Sequence, residues 1–106
     1  MPLKVRELEL IGVPDEMKGS AVICFCVLAP GRTGDDALRT ALKARVAAEL
    51  GKPLQPKAIH FVADLPKTRN AKVMRRIIRA AFLGEALGDT TALVNPESVA
   101  AITQLR

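Results

Sequence analysis

Of the 16 cations and 11 acids in the 106-residue chain, six cations and no acid fall in residues 65–84. They are Lys67, Arg69, Lys72, Arg75, Arg76 and Arg79, and elsewhere acids outnumber cations by one. A formal charge of +5 concentrated in this way marks a surface that faces something anionic. Within the window, residues 66–72 (PKTRNAK) read as a loop, and an apolar-striped helix follows. Lys72 is then expected at or just before a helix N-terminus. The macrodipole there disfavours a cation by about a few tenths of a kcal/mol. Lys67 and Arg69 add like charge, where a sequence tuned only for stability would carry an acid. A local rule broken in one place and kept elsewhere often marks function. An ammonium on a flexible stem, beside open backbone N–H groups, suits phosphate or carboxylate oxygens. The plainer alternative is a solvated basic helix face, and composition alone does not decide between the two.

Other reactive side chains are sparse. Cys24 and Cys26 stand two apart in an apolar run. On a strand they share a face at a spacing of about 7 Å, too far for an unstrained bridge. Without a second Cys pair or a His cluster they form no metal site. They read as small buried hydrophobes in a reducing cytoplasm. His60, the single histidine, lies inside an apolar strand and reads as structural. No apolar run is long enough to span a membrane. The first ten residues are unlike a secretory signal.

The elements that must position Lys72 follow from periodicity. Residues 5–13 (VRELELIGV) predict a half-exposed strand, and residues 21–29 (AVICFCVLA) a central buried one. The two pair antiparallel through a loop over residues 14–20. Residues 33–50 predict a helix capped by Thr33, with Asp35 and Asp36 in its first turn. Its apolar stripe is Leu38, Ala41, Leu42, Val46 and Leu50, and Gly51 and Pro53 stop it. Residues 58–63 predict a third strand. Residues 73–83 predict a helix striped by Met74, Ile77, Ile78, Ala81 and Phe82, broken by Gly84 and Gly88. Asn95 is expected to cap a last helix over residues 96–105, with Pro96 at its first position and Val99, Ile102 and Leu105 docking it. The expected class is α+β, a single domain with a small, mainly antiparallel sheet covered by about three helices as a two-layer sandwich.

Residues 65–76, LPKTRNAKVMRR, closely resemble the C-terminal signature LPKTRSGKIMRR of AMP-forming acyl-CoA synthetases. The likeness continues upstream in residues 12–19, GVPDEMKG, which are similar to the family's GxPDxxKG turn. Downstream, Gly88-Asp89-Thr90-Thr91 and Asn95-Pro96 resemble the GDTS…(D/N)P tail of acetyl-CoA-synthetase-like members. The resemblance implies that residues 1–106 are a C-terminal lid domain. It implies a motif loop of Pro66, Lys67, Thr68, Arg69, Asn70 and Ala71 that presents Lys72 as the catalytic lysine of adenylation. In that half-reaction ATP and a carboxylic acid give an acyl-adenylate and pyrophosphate. The domain then rotates, and thioester formation with CoA proceeds without the lysine. The resemblance also makes Lys72 a candidate acetylation switch. ATP, CoA and Mg2+ are implied for the complete enzyme and none for this domain by itself. The implied partner is a large N-terminal adenylation domain, on the same chain or as a split subunit, in the cytoplasm.

Two departures from the family pattern matter. Ala71 stands where the family commonly has Gly, at a cost of roughly 1 kcal/mol if the backbone needs positive φ there. Ala47 matches the position of a family arginine that meets the CoA 3′-phosphate. Lys43 and Arg45 nearby, with Arg75 and Arg76, remain candidate contacts to CoA or ATP. The phosphate-binding loop and the acyl pocket are absent from these 106 residues, so the isolated chain is expected to be inactive. Two other readings compete with the ligase. A nucleic-acid-binding module would use the basic face, but the chain has no Trp or Tyr and only three Phe for stacking. A regulatory module that docks on a synthetase is the other.

Overall fold

The computed structural model describes residues 5–17, 19–29, 31 and 34–105. It contains a three-stranded mixed sheet and three α-helices, the α+β class expected. The chain divides into two compact units, Met1–Phe61 and Val62–Arg106.

The first unit holds β1 (Val5–Asp15), β2 (Gly19–Leu28), α1 (Asp36–Leu50), a short 3-10 turn (Lys52–Leu54) and β3 (Ala58–Phe61). The strand order is β1-β2-β3, so the apolar run is indeed the central strand. β1 and β2 pair antiparallel out to Pro14↔Ser20 and Asp15↔Gly19, which leaves residues 16–18 as the connection. The expected seven-residue loop is therefore too long. Gly19 at φ +81° lets the strand restart at once, and Pro14 is tolerated because β1 is an edge strand. β3 pairs parallel to β2 over Ile23↔Ala58 to Cys26↔Phe61, with α1 in the crossover. It ends two residues earlier than expected.

α1 begins at Asp36, and Asp35 caps it by accepting the Leu38 N–H at 2.8 Å. Thr33, the expected cap, lies outside the described residues. Leu42 is fully buried beside Cys24, Cys26 and Ile59, and Leu38 and Phe61 pack on this core. Leu50 is 52% exposed instead of docked. It is the helix's last residue, and Gly51 at φ +93° turns the chain away there. Arg39 fastens the start of α1 to β3. Its guanidinium lies 4.8 Å from the Phe61 ring centroid and donates to the Ile59 carbonyl at 3.2 Å. A Cβ on Gly34 would collide with that same ring, so only glycine fits.

The second unit holds the lysine motif, α2 (Arg75–Leu83) and α3 (Glu97–Thr103). Ile77, Ile78, Ala80 and Ala81 are buried along α2, while Met74 and Phe82 are half-buried. Gly84 closes α2 in the left-handed conformation at φ +75°. Val99 and Ile102 are buried on α3, and Leu105 is half-buried.

Candidate functional site

Residues 66–74 are not the open loop that composition suggested. They fold back on themselves as a miniature hairpin. Thr68 N–H donates to the Lys72 carbonyl at 3.0 Å, Ala71 N–H to the Thr68 carbonyl at 2.9 Å, and Met74 N–H to the Pro66 carbonyl at 2.9 Å. Lys67 bridges to Val73 across the two arms. Leu65 and Pro66 are buried at the base, and Arg69, Asn70, Ala71 and Lys72 are exposed at the tip.

Lys72 therefore stands on the returning arm of the turn, three residues ahead of α2, and not at a helix mouth. The cations in the first turn of α2 are Arg75 and Arg76, and that helix has no side-chain cap and no acid there. The helix field fades within about the first turn, so its penalty falls on those two arginines. Among the described residues, the Lys72 ammonium and the Arg69 guanidinium make no hydrogen bond or ion pair. The amine is neither tucked inward nor tied to an acid.

The turn needs Ala71 at φ +63°, the one non-glycine residue with positive φ among those described. The backbone at this position is left-handed, the conformation that glycine supplies at no steric cost. The condition left open from the sequence, that the backbone needs positive φ at this position, is met.

Several other basic residues are spent on the fold. Lys67 pairs with Asp64 at 3.4 Å and keeps only 18% of its side chain exposed. Burial alone would raise the Asp64 carboxyl, but hydrogen bonds from Leu65 N–H and Asn95, with Lys67 alongside, hold it below the usual carboxylate range. Arg76 donates to the carbonyls of Leu87 at 2.5 Å and Asp89 at 3.3 Å. It clasps the loop after α2, where Gly88 leaves room for the guanidinium. Arg79 reaches Glu85 at 3.5 Å. In the first unit, Arg45 pairs with Glu49 at 2.7 Å and Lys43 is half-buried.

Asn95 was expected to cap α3, but its side chain turns to the lysine motif instead. Its Oδ1 accepts the Lys67 N–H at 2.9 Å, and its Nδ2 donates to the Leu65 carbonyl at 2.7 Å and to Asp64 Oδ2 at 3.1 Å. The first turn of α3 is served by the Asn95 backbone carbonyl, which accepts from Ser98 Oγ at 2.7 Å and Ser98 N–H at 3.0 Å. The Asn-Pro pair was visible in the sequence, but nothing local to it said that the amide would serve a loop about 30 residues away. A hollow of about 620 Å3 beside the tip is lined by Thr68, Arg69, Asn70, Thr91, Leu93 and Val94.

The other candidate groups are quiet. Burial pushes the Cys24 thiol up to about 12 and the Cys26 thiol to about 11, so both are inert. The His60 ring lies 5.7 Å from Phe25, and burial, with the Arg39 charge, lowers its pKa. Asp15 of the GxPD turn meets Lys57 at 2.6 Å, which ties the β1–β2 connection to the segment before β3. A groove of about 830 Å3 at this turn includes Pro14, Met17, Pro53 and Pro56 and no residue of the lysine motif. Among the described residues no group of three His, Cys, Asp or Glu could hold a metal ion. No helix among them is long and apolar enough to cross a membrane.

Residues 3–72 match the family model of the AMP-binding enzyme C-terminal domain, and the match ends on Lys72. The acetyl-coenzyme A synthetase of Methanothrix thermoacetophila is 43% identical over 95 residues, covering 90% of this chain and 14% of that protein. The acetyl-coenzyme A synthetase of Rhizobium rhizogenes is 42% identical over 97 residues, covering 90% of this chain and 15% of its own length. Among solved structures, a Brucella canis acyl-CoA synthetase superposes with a TM-score of 0.69 at 38% identity, over 74% of this chain and 14% of that one. The acetoacetyl-CoA synthetase of Streptomyces lividans shares the fold over 96% of this chain, with a TM-score of 0.74 at 23% identity. The chain thus spans about one seventh of the length of these relatives.

Proposed function

The chain belongs to the AMP-binding enzyme C-terminal domain family, and from that premise we propose that it is the mobile C-terminal domain of an acid–CoA ligase, supplying Lys72 to adenylation. The complete reaction converts ATP, a carboxylic acid and CoA into acyl-CoA, AMP and pyrophosphate. The relatives named acetyl-coenzyme A synthetase point to a short acid. The partner is a large N-terminal adenylation domain, which holds ATP, the acid and Mg2+, in the cytoplasm.

The observation that supports this reading is an exposed ammonium without a partner among the described residues, carried on a turn that is itself pinned at its base. Adenylation brings a carboxylate to the α-phosphorus, so two anions meet and negative charge grows on the phosphoryl oxygens. A lysine ammonium brings a compact positive charge to that point. Set between the carboxylate and the α-phosphate, it orients both and offsets that charge. The amine needs no rearrangement of its own to reach out, because no described residue of its unit holds it back. When the domain turns to present another face for thiolation, Lys72 leaves the site. Acetylation of Lys72 would remove the charge and stop adenylation.

In the complete enzyme, Lys72→Ala is expected to lower acid-dependent ATP–pyrophosphate exchange by about 10²–10³. Thioester formation from preformed acyl-adenylate should persist. Equal loss of both half-reactions would overturn the assignment.

A further inference from the structure

Asn95 and Ser98 are the two polar or charged residues buried among those described, and Asn95 is 7% exposed. A buried amide is costly unless satisfied, and this one is satisfied by both edges of one segment. Its oxygen takes the Lys67 N–H, and its nitrogen serves the Leu65 carbonyl and the Asp64 carboxylate. The residue before it adds a parallel tie, Val94 N–H to the Lys67 carbonyl at 3.0 Å, and Leu93 bridges to Thr68. One arm of the miniature hairpin is thereby fixed to the segment that leads into α3. The other arm, which carries Lys72, hangs on that fixed arm through Thr68 N–H to the Lys72 carbonyl and through the Lys67–Val73 bridge.

We infer that Asn95 is a positioning residue for Lys72, setting where the ammonium sits during adenylation. The inference rests on the proposed role of Lys72. Asn95 touches no reacting atom, and its effect passes through the Lys67 and Leu65 backbone. Only a neutral amide fits the position, because it must accept from one backbone group and donate to another. A carboxylate of the same shape keeps the Lys67 bond, loses the donation to Leu65, and faces the Asp64 carboxylate with like charge.

The test uses the complete enzyme with Asn95→Asp, the double variant Asp64→Asn/Asn95→Asp, and Lys72→Ala. Asn95→Asp is expected to lower kcat for adenylation by about 10- to 100-fold, since a displacement near 1 Å can cost that much. KM for ATP and acid should hardly change, and thioester formation from preformed acyl-adenylate should stay within about twofold, as the lysine has by then left the site. The double variant restores the donor–acceptor pair with residue 64 and removes the like charge but not the donation to the Leu65 carbonyl, so it should regain part of the adenylation rate. Equal loss in both half-reactions, or no recovery in the double variant, would reduce Asn95 to a general stabiliser and overturn the inference. If Lys72→Ala impairs adenylation and Asn95→Asp does not, the inference falls while the role of the lysine stands. If Lys72→Ala leaves adenylation intact, both fall.

Discussion

Ala71 shows how a single residue can carry the strain of a site. A left-handed backbone at φ +63° costs an L-residue about 1–2 kcal/mol. Ala71→Gly should therefore stabilise the chain by about 1 kcal/mol, even after glycine's larger loss of unfolded-state freedom. A denaturant titration would read this as a higher midpoint at unchanged slope. A lower midpoint would mean that the turn relaxes to another conformation in solution. The resemblance had raised this position through the glycine that the family carries there, but residue identity alone cannot say which conformation an alanine adopts. The same limit applies to the six cations of the basic window. Composition alone does not separate them. Which are spent depends on how the chain folds back on them: Asp64 for Lys67, the Leu87 and Asp89 carbonyls for Arg76, Glu85 for Arg79. Lys72 and Arg69 at the tip have no such partner among the described residues.

Element boundaries follow from capping and pairing, and these were only partly legible. α1 starts at Asp36 because the Asp35 carboxylate accepts the Leu38 N–H, three residues into the turn. Asp35→Ala is expected to cost about 1 kcal/mol in thermal or chemical unfolding, the usual worth of an N-cap. Asp36→Ala should cost less. It loses an exposed pair with Arg39 at 3.0 Å, and such pairs contribute a few tenths of a kcal/mol. Equal costs would show that charge near the helix start, and not the cap geometry, sets the boundary. Two acids side by side were plain in the sequence, but which one leaves the helix was not. β2 and β3 were legible from their apolar runs and β1 from its half-exposed pattern, whereas their ends were set by partners: β1 gains Pro14 and Asp15 from β2, and the β2–β3 pairing stops at Phe61. Asn95 was misread for a deeper reason. Asn-Pro-Glu is a sound local start signal, yet an amide able to satisfy three groups of a buried segment is worth more there than at an exposed helix end.

The whole molecule has the α+β class its patterns announced, a small sheet with three helices, and the sheet is mixed because β3 runs parallel to β2. Its division at residue 61 was not legible, because periodicity reports which face of an element is buried and not which elements bury one another. The motif, the brace on it and the clasped loop after α2 all fall within Val62–Arg106. Most of what would bind substrates lies, on the proposed reading, in the remaining six sevenths of a protein like its relatives. Placement of reactants contributes about 7–11 kcal/mol to such reactions, and a bare lysine on a turn supplies little of it. The 106-residue chain alone should therefore give no acid-dependent ATP–pyrophosphate exchange above background. Mixed with a large adenylation domain lacking its own C-terminal part, it should raise exchange in a saturable way. A covalent tether should raise it further at equal concentration, because a short flexible linker supplies an effective concentration of about millimolar. The Lys72→Ala chain should dock in the same concentration range and raise nothing. If it raises exchange as well as the natural chain, the domain serves only to close the site and the ammonium does no electrostatic work.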